Sequence, residues 1–409
     1  MEAKTEEPNN KVEIAEPEPK EQKDSVKETE AKTEENGVKE DKKKKKKKKK
    51  KKGKKDETEE TKKVNTSFPE EDKTKPATRA QDNSTLRILK NWEDGPYKQT
   101  VYPTIPIDDQ YSDGNFPLGL VVPYTGEYSH RMSAPEEKKK EELLEVQYKC
   151  FRKAAECHRQ ARHFAQRIIR PGESYMKLVT EIENAVRRLI KANKTEANLA
   201  FPCGFSINSC AAHFTPNPGD TKILQKEDVV KIDIGTHYQG YIVDSAFTVA
   251  FDPTFDNLLE AGKEATMTGV KEAGIDARLD EIGEKIQETM ESYEVTIKGK
   301  TRPIKSVRNL QGHEVARYKI HAGKAVPTVK GAKPEKMEEG EVYAIETFAS
   351  TGKGYVVEDG ECSHYMKSSE LKHLPIKDTR AKFLLKLLEE NYSTLAFCRR
   401  WIDDMGFEK

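Results

Sequence analysis

The 409-residue sequence predicts a mixed α/β (α+β) body made of two similar halves behind a charged leader. Three observations carry this. Two long segments repeat apolar residues at helical spacing; period-two segments follow them; and the same order, helix, helix, strands, then occurs again. Sequence identity between the halves is too low to count as a repeat.

The leader comes first. Residues 1–80 hold 25 basic and 21 acidic side chains, while the remainder carries most of the Leu, Ile and Val and all but one of the aromatics. Too little apolar surface is present to offset ordering entropy, so the segment is expected to be a disordered charged tail. Lys42 to Lys52 is unbroken lysine, continued by Lys54 and Lys55. Like-charge repulsion extends such a run, and it attracts polyanions in a salt-dependent way: RNA, the ribosome, or acidic protein segments. A solvating tail and a nuclear-import signal are the competing readings. No stretch of eighteen apolar residues and no signal peptide is found, so a cytoplasmic chain with no membrane span is expected. Six cysteines without a C-x-x-C pair read as free thiols.

Residues 81–132 are Pro-rich and read as an extended lead-in; the catalytic body is expected over 133–360, and a partial helical subdomain over 361–409. The first helix of the body is predicted from the N-cap Ser133 to Pro171, with Leu143, Leu144, Tyr148, Phe151, Ala155 and Phe164 on its apolar face. A second starts at Ser174, with Leu178, Ile182, Val186 and Ile190 at spacing four. VVKIDIG and YIVDSAFTVAF then form a hairpin about THYQG. Two more helices, 255–274 and 277–293, lead into strand-like pieces at YEVTIKG, SVRNL and EVYAIETF. A last helix carrying Phe383, Leu384, Leu387, Leu388, Leu395 and Phe397 is expected to run almost to Lys409.

A turn centred between Tyr238 and Gln239 places Asp233 directly opposite Asp244, with Cβ atoms about 4.5–5.5 Å apart. Two buried carboxylates so close stay ionised only around a cation. His313 and Glu346 are further candidates, since alternation puts Glu346 on one face with Val342 and Ala344. Carboxylates with an imidazole suit Co, Mn, Fe or Zn. Singly, each residue has a blander reading: a turn cap, a hydrogen-bonded histidine, a surface glutamate.

Seven motifs sharpen this: AFPCGFSINSCAAHFTPN, KIDIGTH, DSAFTV, NLQGH, IHAGK, EEGEVYAIETFASTGKG and ECSHYMK. With them the chain from about Pro96 onward resembles the type 2 methionine aminopeptidases of peptidase family M24, whose eukaryotic members also carry lysine-rich leaders. The resemblance implies the pita-bread fold, two pseudo-symmetric halves around two divalent metal ions. It implies that Asp233 holds the first metal, that Asp244 bridges both, and that His313 and Glu346 bind the second. His213 and His321 correspond to substrate-contacting histidines, and Phe201, Ile320, Phe348 and His364 to the lining of the methionine pocket. The implied activity is removal of the initiator methionine from nascent polypeptides with a small second residue, by a metal-activated hydroxide whose proton Glu346 accepts. The implied chain is a monomer whose Lys42 to Lys55 segment docks on the ribosome, initiation factor two or RNA.

Two departures stand beside the resemblance. The family's fifth ligand, a glutamate on a late strand, and a pocket tyrosine have no counterpart, because the closing strands are absent; Glu408 has no strand around it. Weakened occupancy of a metal site, a less stable body and impaired activity are the expectations, with a catalytically silent docking scaffold as the alternative. Glu314 stands where the family has small or hydroxyl residues, and its charge is expected either to face outward or to perturb His313. A prolidase of the same fold is the weaker enzyme alternative.

Overall fold

The computed structural model describes residues 99–100, 102–121, 135–368 and 375–407, all within the unit Lys63–Lys409. The expectations for the lysine tail and for Glu408 fall outside the described residues.

A single turn, α1 (Ile107–Gln110), lies in the lead-in and sinks Ile107 fully into the first core. The long α2 (Pro135–Ile168) and α3 (Tyr175–Leu189) follow. Ser174 caps α3 by accepting the Lys177 amide at 3.2 Å, and the spacing-four residues Leu178, Ile182, Val186 and Ile190 are all buried, as the periodicity predicts. The face predicted for α2 needs correction. Leu143 and Tyr148 are exposed, and so is Ala155; the buried stripe runs through Cys150, Ala154, Cys157, Ala161, Phe164 and Ala165. Small side chains face inward because the helix lies close against the sheet: Thr236 in that sheet donates its hydroxyl to Ala154 O at 3.0 Å.

The sheet of the first half has the order β1 (Ala197–Ile207), β2 (Val230–Tyr238), β3 (Tyr241–Val249), all antiparallel. Its core is filled by Leu199, Phe205, Ile232, Ile234 and Val249. The second half begins with α4 (Asp256–Glu272) and α5 (Leu279–Glu291), with Ala261, Ala265, Ile282 and Ile286 turned inward. Short strands follow: β4 (Glu294–Ile297), β5 (Lys300–Pro303), β6 (Lys305–Ser306), β7 (Gly312–Val315), β8 (Ala325–Val326), β9 (Val342–Ala344) and β10 (Ala349–Ser350). β7 is the centre of a sheet ordered β8-β7-β9. A third apolar cluster, with Phe201 and Ile242 from one half and Val315, Ile320 and Ala344 from the other, joins the two.

The final helix expected from sequence is in fact two, α6 (Thr379–Tyr392) and α7 (Arg399–Asp404). They separate at Ser393, whose φ of 54° and ψ of −115° leave the helical region altogether, a backbone conformation that usually calls for glycine. Tyr392, Cys398 and Trp401 then bury into the core of the first half.

Candidate metal centre

The hairpin register decides where its two aspartates stand. Tyr238 pairs with Tyr241, so Gln239 and Gly240, both at positive φ (52° and 82°), form the two-residue turn. The centre is therefore one residue later than the sequence alone suggests. Asp233 pairs with Ala246 and Asp244 with Gly235, so the aspartates are diagonal rather than directly opposed. They keep a common face because the shift is even. Two glycines make room: a Cβ on Gly204, the partner of Asp233 on β1, would stand 2.8 Å from the Asp233 Cβ, and a Cβ on Gly235 would stand 2.2 Å from the Phe201 ring.

The opposite half contributes from two places. His313 sits on the central β7, cross-strand from Ala344. Glu346 lies two residues beyond the end of β9, so strand alternation does not place it; the chain leaving the strand does. The His313 Nε2 is 2.9 Å from Glu346 Oε1 and 3.6 Å from Asp244 Oδ2. Its Nδ1 lies 3.3 Å from Glu314 O, which holds the ring with Nε2 toward the acids. One ligand atom each from Asp244, His313 and Glu346 lies within 4.8 Å of the others.

Asp233 joins this cluster electrostatically. Burial, then the Glu346 charge, pushes its carboxyl well above the usual range; burial, then Asp233 and Glu346, does the same to Asp244. The Asp233 Oδ1 is buried without a hydrogen-bond partner. For His313 burial opposes the cation, yet the Glu346 hydrogen bond and charge outweigh it and raise the imidazole. An acid cluster that must borrow protons, with one orphaned buried oxygen, is the arrangement a divalent cation relieves. The residues present fit such an ion.

Around the cluster, His321 presents its ring edge-on to His313, centroids 4.4 Å apart at 84°. Burial, then His313, lowers its basicity. His213 is exposed, takes φ of 60°, and stands 6.3 Å ring to ring from His364. A non-glycine residue in that region is strained and needs support. The Ser363 hydroxyl provides some: it lies 3.1 Å from both His213 O and His364 Nδ1. His364 Nε2 reaches Pro202 O at 3.2 Å, and burial brings its basicity down to about 4. A cavity of about 1030 Å³ is lined by Asp233, Asp244, His213, Glu346 and Phe348. Phe201 and Ile320 belong instead to the apolar cluster joining the halves.

Sequence reasoning missed Lys231 in the same cavity wall. It lies two residues before Asp233, hence on the same face of β2, and donates to Asn208 O at 2.7 Å. Burial lowers its basicity to about 8. Period two alone was signal enough to find it.

Comparison with known proteins agrees with this site chemistry. The family model "Metallopeptidase family M24" matches residues 149–368. The chain belongs to family M24. The stretch holds every histidine and carboxylate described above. Methionine aminopeptidase 2A of Arabidopsis thaliana is 52% identical over 312 residues, covering 76% of this chain and 71% of the relative. Methionine aminopeptidase 2 of Schizosaccharomyces pombe is 52% identical over 314 residues, 77% of this chain and 74% of its own. The fold is accordingly the mixed α/β pita-bread fold of M24, and no helix among the described residues is long and apolar enough to cross a membrane.

Proposed function

We propose that this M24 chain removes the initiator methionine from nascent polypeptides, preferring a small second residue. One observation carries the reading: three donors, from Asp244, His313 and Glu346, converge, and Asp244 and Glu346 share a cavity wall with Asp233 and His213. In a chain about half identical to methionine aminopeptidases, Asp233, Asp244, His313 and Glu346 are the residues that would hold divalent metal. A bound divalent ion supplies Lewis acidity, lowering the pKa of water toward neutrality and polarising a carbonyl.

The remaining work belongs to side chains. Glu346 takes the proton of the attacking water and returns one to the departing amine; such transfers contribute about 10²–10⁴-fold. Its Oε1 lies 2.9 Å from His313 Nε2, which supports a carboxylate turned into the cluster. His213 donates a hydrogen bond to the developing oxyanion of the scissile bond. His321 holds the peptide backbone beyond that bond. Phe348, on the cavity wall, faces the methionine side chain, whose flexible thioether suits an aromatic wall, and the cluster holding Phe201 and Ile320 backs the site from between the halves.

The test is release of methionine from a Met-Gly peptide by the purified chain with added Mn or Co. Turnover is expected, and His213→Ala is expected to lower kcat by about 10²–10³. A folded protein that binds Mn yet releases no methionine overturns the reading in favour of a non-catalytic scaffold.

A further inference from the structure

The chain between β7 and β8 breaks its ladder beside the candidate site. Gly312 pairs with Val326 and His313 with Ala325, so Glu314 and Lys324 are next in register. The Glu314 amide does donate to Lys324 O, at 2.8 Å. A regular antiparallel pair would return the bond from the Lys324 amide to Glu314 O. Here Glu314 O is taken by the Ala322 amide instead, at 2.8 Å. Two additional residues are thereby accommodated opposite Glu314, an irregularity that re-aims the chain, and the Lys324 N–H is left without its backbone acceptor. The Glu314 carboxylate supplies the substitute: its Oε2 accepts from Lys324 N at 3.1 Å.

The carboxylate fits closely there. A Cβ on Gly323 would lie 3.3 Å from the same Oε2. On the far side, Lys324 Nζ donates to Glu341 Oε1 at 2.6 Å and to Lys336 O at 2.9 Å. The segment between Ile320 and Lys324 has no regular structure of its own, and His321 stands on it. Its ring orientation against His313 therefore depends on how this irregularity is closed.

We propose that Glu314 is a positioning residue for His321: its side chain replaces the missing ladder bond and so holds the histidine edge-on to His313. The inference rests on the reading of His321 as a contact to the peptide beyond the scissile bond. It replaces both options that the sequence alone left open for Glu314, since the carboxylate neither faces idly outward nor turns on His313. What matters is an acceptor with the reach of a four-atom side chain, not the charge.

Three variants separate these ideas. Glu314→Gln keeps an acceptor oxygen at the same reach, Glu314→Asp keeps charge but loses reach, and Glu314→Val loses both. Hydrogen exchange of the Lys324 amide is expected to be slow in the parent and in Glu314→Gln, and roughly tenfold or more faster in the other two. With a Met-Gly-containing tetrapeptide, KM is expected to rise roughly tenfold in Glu314→Asp and Glu314→Val, as an unpaired amide lets the loop drift. The kcat and the Mn affinity measured by calorimetry stay near the parent's. His321→Ala gives the same KM rise, and combining it with Glu314→Val adds nothing further. Parent-like exchange in both Glu314→Asp and Glu314→Val, additive KM effects, or a fall in Mn affinity in place of a rise in KM overturns the proposal. A parent chain without turnover sinks the functional reading alone, because the exchange rates of the Lys324 amide still decide this one.

Discussion

Burial sets Asp233 and Asp244 against their own charge. Both carboxyls are raised, so the folded protein holds protons that the unfolded chain releases, and this pair's contribution to metal-free stability falls as pH climbs from the unfolded range near 4 toward neutrality. His313 acts in the same direction: its folded basicity is raised, so its contribution is full below its unfolded pKa and is lost as pH rises through the folded value. His364 and His237, both lowered by burial to about 4, act the other way below the ordinary histidine range, so the cluster is read as a difference: the Tm gain given by millimolar Mn over chelator-treated protein is expected to widen from pH 5 to pH 8, and a constant gain would contradict the buried acid cluster. These residues were legible because each sits in a dense motif. Their spacing was not, since it depends on which residues of THYQG make the turn. The positive φ that Gln239 and Gly240 both adopt decides it, and only Gly240 announces such a conformation in sequence.

At the scale of elements, the hairpin works because glycine fills the positions where neighbours crowd it. Gly235 is the clearest case. It pairs with Phe201 on β1 and with Asp244 on β3, and the Phe201 ring occupies the space above it. Gly235→Ala forces that ring or the strand aside, at an expected cost of about 1–3 kcal/mol by denaturant unfolding. Because Asp244 is its cross-strand partner, weaker Mn binding by calorimetry should accompany the loss; unchanged stability would mean the ring moves freely. The helices with evenly spaced Leu, Ile and Val, such as α3, were readable at this scale. The buried face of α2 was only partly readable: Phe164 is buried as expected, but the rest of the stripe runs through Cys and Ala, and the buried His158 meets the sheet through Ile234 O. β1 was hidden for a related reason: Pro202, Cys203 and Gly204 interrupt the strand pattern where it bulges to accommodate the aspartate.

For the molecule as a whole, one buried ion pair ties the chain's late segment to the first half. Glu183 on α3 is 2% exposed; it accepts from the Cys203 amide of β1 at 3.1 Å, from Arg400 at 2.6 Å and from the Trp401 indole at 2.7 Å. Arg400 is itself 7% exposed and donates onward to Pro216 O at 3.1 Å. The neighbouring α3 and β1 thus meet the distant α7 on one carboxylate, beside the Gly204 that seats Asp233. Nothing in the local pattern of α3 marked this, since a lone glutamate on an apolar helix face reads as surface. A satisfied pair of this kind adds little net stability, but breaking it leaves a guanidinium and two N–H donors buried without their acceptor. Glu183→Leu is expected to cost about 3–5 kcal/mol, read as a lower denaturant midpoint, and to loosen α7 by hydrogen exchange before the β2–β3 hairpin. Glu183→Gln, which keeps an acceptor oxygen for the same donors, should fall between parent and Glu183→Leu. If both variants match the parent, α7 is held by the stacking of Tyr392 on Trp401, centroids 5.4 Å apart, rather than by the carboxylate.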